Sequence, residues 1–325
     1  MRNQFEKLLE CYKKSEKYID IISKIAFYIA LFIELTIVIL DKSEYIIQYE
    51  GLWFRATFLL FGLSLITTKR DMKQWIWLGI FAVIGFISYK STGRNEILRW
   101  VVFIWACYGK DMKKVLKFTF WYTAIGCAII FILSMLGIGG PISYTAVYRL
   151  EEAWGAGIEE TRYCFGMGHP NAFHCMVLML TLLWIYLKFD KLNLYKLGIL
   201  MGINVLAYCF STSRMGLVTT AIAIMVAAFF VYCPKMRNQK WVYIFGCVAI
   251  AMTVIFAVAV AWYGVGHNNK GWEYPLLNKI DFTLFSARLR YAYFRADLTR
   301  WSLFSCPENT RYFDVGIVRL FYWYG

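Results

Sequence analysis

The sequence predicts an all-α polytopic integral membrane protein with about nine to ten transmembrane helices and two longer outer loops. Three observations carry this. Of 325 residues, 60% are hydrophobic and only 17% charged, against the ~45–50% and ~25% usual in soluble domains. The apolar residues fall in uninterrupted blocks, several of them near the ~20 residues a helix needs to cross the hydrocarbon core. The 35 Lys and Arg, which outweigh 21 Asp and Glu to give a net charge of +14, gather between alternate blocks. This combination excludes a disordered chain and argues against an ordinary soluble domain.

Taken in order, residues 1–21 are charged and partly amphipathic, without the apolar core and cleavage site of a signal peptide, and read as a cytoplasmic tail. Spans follow at 22–40, which contains Glu34; at 51–67, with Arg55 near one end; and at 75–89. The stretch 97–108 is short and carries Arg99, and is assigned as a span because the flanking charges require one. An uncharged span at 118–138 completes the N-terminal set over 22–138. A first outer loop covers 139–169, and spans at 170–187, 194–210, 215–233 and 241–263 make up the segment 170–263. A large outer loop occupies 264–314, within which 284–304 reads as an interfacial helix. Residues 315–325 begin a tenth span that is too short to cross. The chain therefore reads as C-terminally shortened, which leaves its activity in question.

Orientation follows from the cations. With the tail inside, the inner segments hold Lys7, Lys13, Lys14 and Lys17, then Lys69, Arg70 and Lys73, then Lys110, Lys113, Lys114 and Lys117, then Lys188 and Lys191, then Lys235, Arg237 and Lys240. This is the positive-inside pattern, with the N-terminus cytoplasmic. Most of the net charge is thus topogenic. No basic stripe interleaved with aromatics forms a nucleic-acid platform. Nine Cys, several inside apolar runs, behave as small hydrophobes, and no metal-type His/Cys spacing occurs.

Two constellations lie on the outer face. Arg162-Tyr163-Cys164-Phe165-Gly166-Met167-Gly168-His169-Pro170-Asn171 precedes the sixth span. Pro170 suits the first position of a helix, which sets His169 at an outward N-terminus where backbone N–H groups and the helix dipole favour phosphate. Arg162 adds a charge able to engage phosphate oxygens. The same residues also fit a plain membrane-entry turn in which His169 bonds the backbone. The second constellation is Ser211-Thr212-Ser213-Arg214-Met215-Gly216, where hydroxyl residues can cap another outward helix start with Arg214 at its mouth. Its plainer reading is a capped helix whose arginine snorkels to headgroups. Two such ends on one face fit an anionic headgroup with more than one phosphate. Arg288 and Arg295 lie in the large outer loop, and Asp314 reads either as a helix cap or as a general base. His174 reads as packed inside a span, and Glu34 either as paired with a neighbour such as Arg55 or as facing a wet cavity. Walker, GxGxxG, GxSxG, HExxH and DxD motifs are absent.

The block from Arg162 through Asn171, the Ser211–Arg214 turn, Leu277-Asn278-Lys279-Ile280 with Ser286-Ala287-Arg288-Leu289, and Phe313-Asp314 with Tyr322 and Gly325 resemble, in order, landmarks of the O-antigen polymerase/ligase family. The resemblance is nearest to capsular and exopolysaccharide repeat-unit polymerases of Gram-positive bacteria and covers the second half of the chain. Ser286-Ala287-Arg288 departs from the family's Ser-Gly-Arg, and Asp314-Val315 from its Asp-Asn. The resemblance implies a GT-C-like membrane glycosyltransferase that polymerises undecaprenyl-diphosphate-linked oligosaccharide repeat units at the outer leaflet, without a metal or other cofactor. It also implies a chain-length regulator and a flippase as partners, and no nucleic acid. In that reading Arg162, Arg214 and Arg288 hold the diphosphate, Asn171, Ser213 and Arg295 the rest of the substrate, and His169 or Asp314 takes the acceptor's proton. Alternatives are ligase-like transfer of a finished glycan to another acceptor, a flippase moving the lipid-linked sugar without chemistry, and a membrane acyltransferase with His169 as base.

Overall fold

The computed structural model describes residues 2–150, 157–263, 305–310 and 316–324. Its helices are α1 (Arg2–Asp41), α2 (Glu50–Thr67), α3 (Met72–Thr92), α4 (Glu96–Ala106), α5 (Met112–Met135), α6 (Pro170–Lys188), α7 (Leu194–Ser211), α8 (Arg214–Tyr232), α9 (Lys240–Tyr263) and α10 (Gly316–Tyr324). A hairpin of β1 (Ser143–Leu150) and β2 (Gly157–Tyr163) separates α5 from α6. Among the described residues eight helices are long and apolar enough to cross a membrane: α1 over Glu16–Asp41, α2, α3 and α5 to α9. In each of these windows at most 39% is buried inside the protein. Leu59 and Ile66, each 70% exposed, show why: lipid takes the place of a core around the spans. The protein is an all-α polytopic membrane protein.

The helices form two compact units, Met1–Lys69 with Ala106–Arg237, and Arg70–Trp105 with Asn238–Gly325. In the first, α1 and α2 pair through Phe27 and Phe61, whose ring centroids are 5.6 Å apart. Their polar residues are matched within the protein, because hydrocarbon offers no partner. Thr57 Oγ1 donates to Glu34 Oε1 at 2.6 Å, which gives the mid-span carboxylate a hydroxyl partner. Ser23 meets Ser64 and Thr68, and Lys110 Nζ donates to Ser23 Oγ at 2.7 Å. α5 joins α1 through Thr36 and Tyr122, whose hydroxyls are 2.6 Å apart. α6, α7 and α8 run down, up and down, packed through Ile185, Leu197, Leu200 and Ile224, so the N-termini of α6 and α8 lie at one end.

In the second unit α4 has 11 residues and rises about 16 Å, half of the ~30 Å hydrocarbon thickness. The expected span at 97–108 is therefore a short return helix. Gly85 lets it approach α3: a Cβ there would lie 3.1 Å from Leu98 Cα. Arg70, just before α3, completes the return by donating to Trp105 O at 2.6 Å. α10 is capped by side chains. Arg94 Nη1 donates to Trp323 O at 3.2 Å, and Ser305 Oγ and Asn309 Nδ2 donate to Tyr322 O at 2.6 and 3.2 Å. These bonds satisfy carbonyls that a helix end leaves open.

Two further differences from the sequence reading concern segment identity. The residues read as a tail are helical and continuous with the first span in the 40-residue α1. The first outer loop contains the antiparallel hairpin, paired from Ser143↔Tyr163 to Leu150↔Gly157 with an irregularity between Val147 and Arg149.

Candidate functional site

The site is built where α5 ends, the hairpin closes, and α6 and α8 begin. α5 stops in a turn with Gly137 at φ 74, and Ile138 and Gly139 donate their N–H groups back to Leu133 O. Cys164 and Phe165 then donate to Ile142 O, and Gly166 to Pro141 O, which fixes the segment after β2 on the one before β1. Phe165, Gly166 and Gly168 have φ of 48, 78 and 49. Gly166 has no alternative residue here, since a Cβ would sit 2.6 Å from Gly139 O. Burial, with the nearby Glu44 carboxylate, pushes the Cys164 thiol above its ordinary range.

His169 is the N-cap of α6, and its Nδ1 accepts the N–H of Asn171 at 3.1 Å. That bond uses the ring's lone pair, so the proton belongs on Nε2, on an exposed side chain. In this arrangement His169 is a donor; to act as a base it must first release the cap. Pro170 opens the helix as expected, and Asn171 is half-buried beside it. Ser213 caps α8, accepting the N–H of Gly216 at 3.4 Å, and Arg214 is the exposed first residue of that helix. Thr212 before it is left-handed, at φ 48.

Arg162 lies on β2 with its side chain only 10% exposed, and both Nε and Nη2 donate to Glu160 Oε2, at 3.0 and 2.7 Å. Its guanidinium is thus already charge-paired, and a phosphate would have to displace or share that carboxylate. Arg288, Arg295 and Asp314 lie outside the described residues. The structure thereby groups His169, Asn171, Ser213 and Arg214 at one end of the first unit, with Arg162 on the adjoining hairpin. Among the described residues no three His, Cys, Asp or Glu side chains are grouped as for a metal ion.

Several residues at this end escaped the sequence reading as site components. His174 is fully buried, with Nδ1 3.1 Å from Ser211 Oγ and Nε2 2.9 Å from Asn204 Oδ1. Asn204 in the middle of an apolar span was the available signal, because an amide in hydrocarbon needs a partner. Glu160 was hidden by the absence of any strand assignment that would place it on the same face as Arg162. Beside the α6 N-terminus an apolar cavity of about 350 Å³ runs between α5 and α6, lined by residues that include Cys127, Phe131, Phe165, Met167, Phe173 and Met176. Phe165 anchors its upper end, with ring contacts to Phe131, Phe173 and Phe210.

The fold defines the class, a multi-pass membrane protein with a polar site at one end of its first unit. Comparison of the chain with family models, with curated proteins and with solved structures returns no match.

Proposed function

We propose that this chain is a membrane glycosyltransferase that extends a glycan by transferring it from an undecaprenyl diphosphate carrier to another lipid-linked repeat unit. The observation that carries the reading is the pairing of the α6 and α8 N-termini at one end of a unit, with exposed Arg214 between solvent and the helix start. Helix N-termini and an arginine offer the countercharge that a departing diphosphate requires, and none of it has to be created during the reaction. The adjoining apolar cavity suits the first isoprene units of the same substrate's lipid chain. In this reading the hairpin end faces the outside of the cell membrane and the lysine-rich end the cytoplasm, in keeping with the positive-inside pattern.

The acceptor hydroxyl oxygen forms a bond to the anomeric carbon as the bond from that carbon to the phosphate oxygen breaks, its electron pair leaving with the diphosphate. Arg214 and the two helix ends receive the growing charge, and His169 Nε2–H donates to a phosphate oxygen in the tautomer its cap imposes. Arg162 joins when the diphosphate takes over from Glu160. The acceptor's proton goes to His169 once its cap bond is released, or to Asp314. The countercharge is assigned to side chains and helix ends rather than to a metal.

Purified full-length protein supplied with lipid-linked repeat units tests the proposal. Arg214→Ala removes a charge-assisted interaction of ~1.5–3 kcal/mol, and the expected loss is about ten- to a hundredfold in polymer formation and in undecaprenyl diphosphate affinity. Unchanged polymerisation in Arg214→Ala and in Arg162→Ala sinks the diphosphate clamp. A separate glycan acceptor in place of a second repeat unit distinguishes ligase-like transfer.

A further inference from the structure

His174 lies one turn inside α6 and has no exposed surface, as do Asn204 and Ser211 on α7. A buried imidazole is tolerated only where both ring nitrogens are bonded. Here the bonds have a direction. Leu217 O can only accept, so the amide nitrogen of Asn204 faces it at 3.0 Å and leaves Oδ1 toward the ring. His174 Nε2 therefore carries the proton and donates to Asn204 Oδ1 at 2.9 Å. Nδ1 is then the acceptor, and Ser211 Oγ–H donates to it at 3.1 Å. Ser211 Oγ in turn accepts the backbone N–H of Ser213 at 3.3 Å.

The chain of bonds begins at the Ser213 N-cap of α8 and ends at Leu217, in the first turn of the same helix. Its middle is the imidazole of α6. Gly216 completes the fit: a Cβ at that position would lie 2.4 Å from His174 Cγ. The first turn of α8 is thus wrapped around one neutral ring, satisfied on both sides. From these contacts we infer that His174 is a positioning residue, which holds the α8 N-terminus and Arg214 in register with the α6 N-terminus capped by His169. The inference rests on the glycosyltransferase reading for its catalytic consequence, though not for its geometry. It gives the two anion-binding helix ends a fixed spacing, and a misplacement of ~1 Å can cost about a hundredfold in rate.

The test compares full-length wild type, His174→Ala, His174→Gln, Ser211→Ala and the double variant His174→Ala/Gly216→Ala, all in lipid nanodiscs. Three quantities are read: amide exchange over 211–217, binding of undecaprenyl diphosphate, and turnover with lipid-linked repeat units. His174→Ala is expected to accelerate exchange at Ser213 and through the first turn of α8 and to lower kcat about a hundredfold. His174→Gln keeps a donor toward Asn204 and recovers about tenfold of that loss. The double variant refills part of the volume without restoring bonds, so its thermal stability rises above that of His174→Ala while kcat stays low. Should it also recover kcat, the ring acts by volume alone and the inference is overturned. Unchanged exchange over 211–217 in both His174→Ala and Ser211→Ala overturns it equally. If wild type makes no polymer, yet His174→Ala loosens these amides and weakens undecaprenyl diphosphate binding, the positioning role stands and the reaction assignment falls.

Discussion

His169 and His174 belong to the same helix end, one exposed outside its first turn and the other sealed within it. The place of His169 was legible because a proline after it can only open a helix, which makes the preceding residue the cap. What was not legible is that the cap consumes the imine nitrogen, since the sequence does not specify which ring nitrogen meets Asn171 N–H. The site role of His174 was out of reach for a different reason: its partners Asn204 and Ser211 are distant in sequence and arrive only through tertiary packing. Cys107, in the turn between α4 and α5, yields a prediction at this scale. Burial pushes its thiol up to about 11, against the opposing pull of Lys110. Below that value the thiol is neutral, and only the thiolate reacts with alkylating agents. Alkylation of Cys107 in membranes at pH 8 should therefore be slow, with about a thousandth of the thiol ionised, and should accelerate about tenfold per pH unit. Mass spectrometry of the labelled peptide checks this; rapid labelling that plateaus by pH 8 contradicts it.

The spans were readable from apolar length alone wherever the apolar run matched the bilayer, as in α2, α7 and α8. Their starts were less so. Asp71 and Asp111 cap α3 and α5 ahead of the apolar runs, so both helices begin in charged sequence. α4 shows the limit of counting charges: the lysines after it led to a span at 97–108, whereas the chain turns back within an 11-residue helix and Arg70 meets Trp105 O. The hairpin was missed because its strands sit in a segment read as a long outer loop without regular structure, and strand alternation is weak over so few residues. The turn joining that hairpin to α6 depends on Gly166. Gly166→Ala forces a left-handed alanine, at ~1–2 kcal/mol, and drives a Cβ against Gly139 O, at a further ~1–3 kcal/mol. The expected outcome is a thermal midpoint in detergent several degrees below wild type. Gly198→Ala, where a Cβ meets nothing within 4 Å, should hold the wild-type midpoint; equal midpoints for the two variants would contradict this account of the turn.

The cations behind the net charge of +14 separate by position. In the first unit Lys69, Lys110, Lys113, Lys114, Lys188 and Lys191 collect at the end where α2 and α6 finish and α5 begins. Arg162 and Arg214 belong to the opposite end, with the hairpin and the helix N-termini. Composition made this division legible in outline, and it could not show that Arg162 is already held by Glu160 while Arg214 stands exposed. The central claim is that this second end joins sugars. It is tested most directly by incubating purified wild-type protein in detergent with radiolabelled undecaprenyl-diphosphate-linked repeat units and resolving the products by size. The account predicts a ladder of longer lipid-linked glycans, with one undecaprenyl diphosphate released per join. Repeat units recovered unjoined, from protein that binds them and moves them across a liposome membrane, would contradict it.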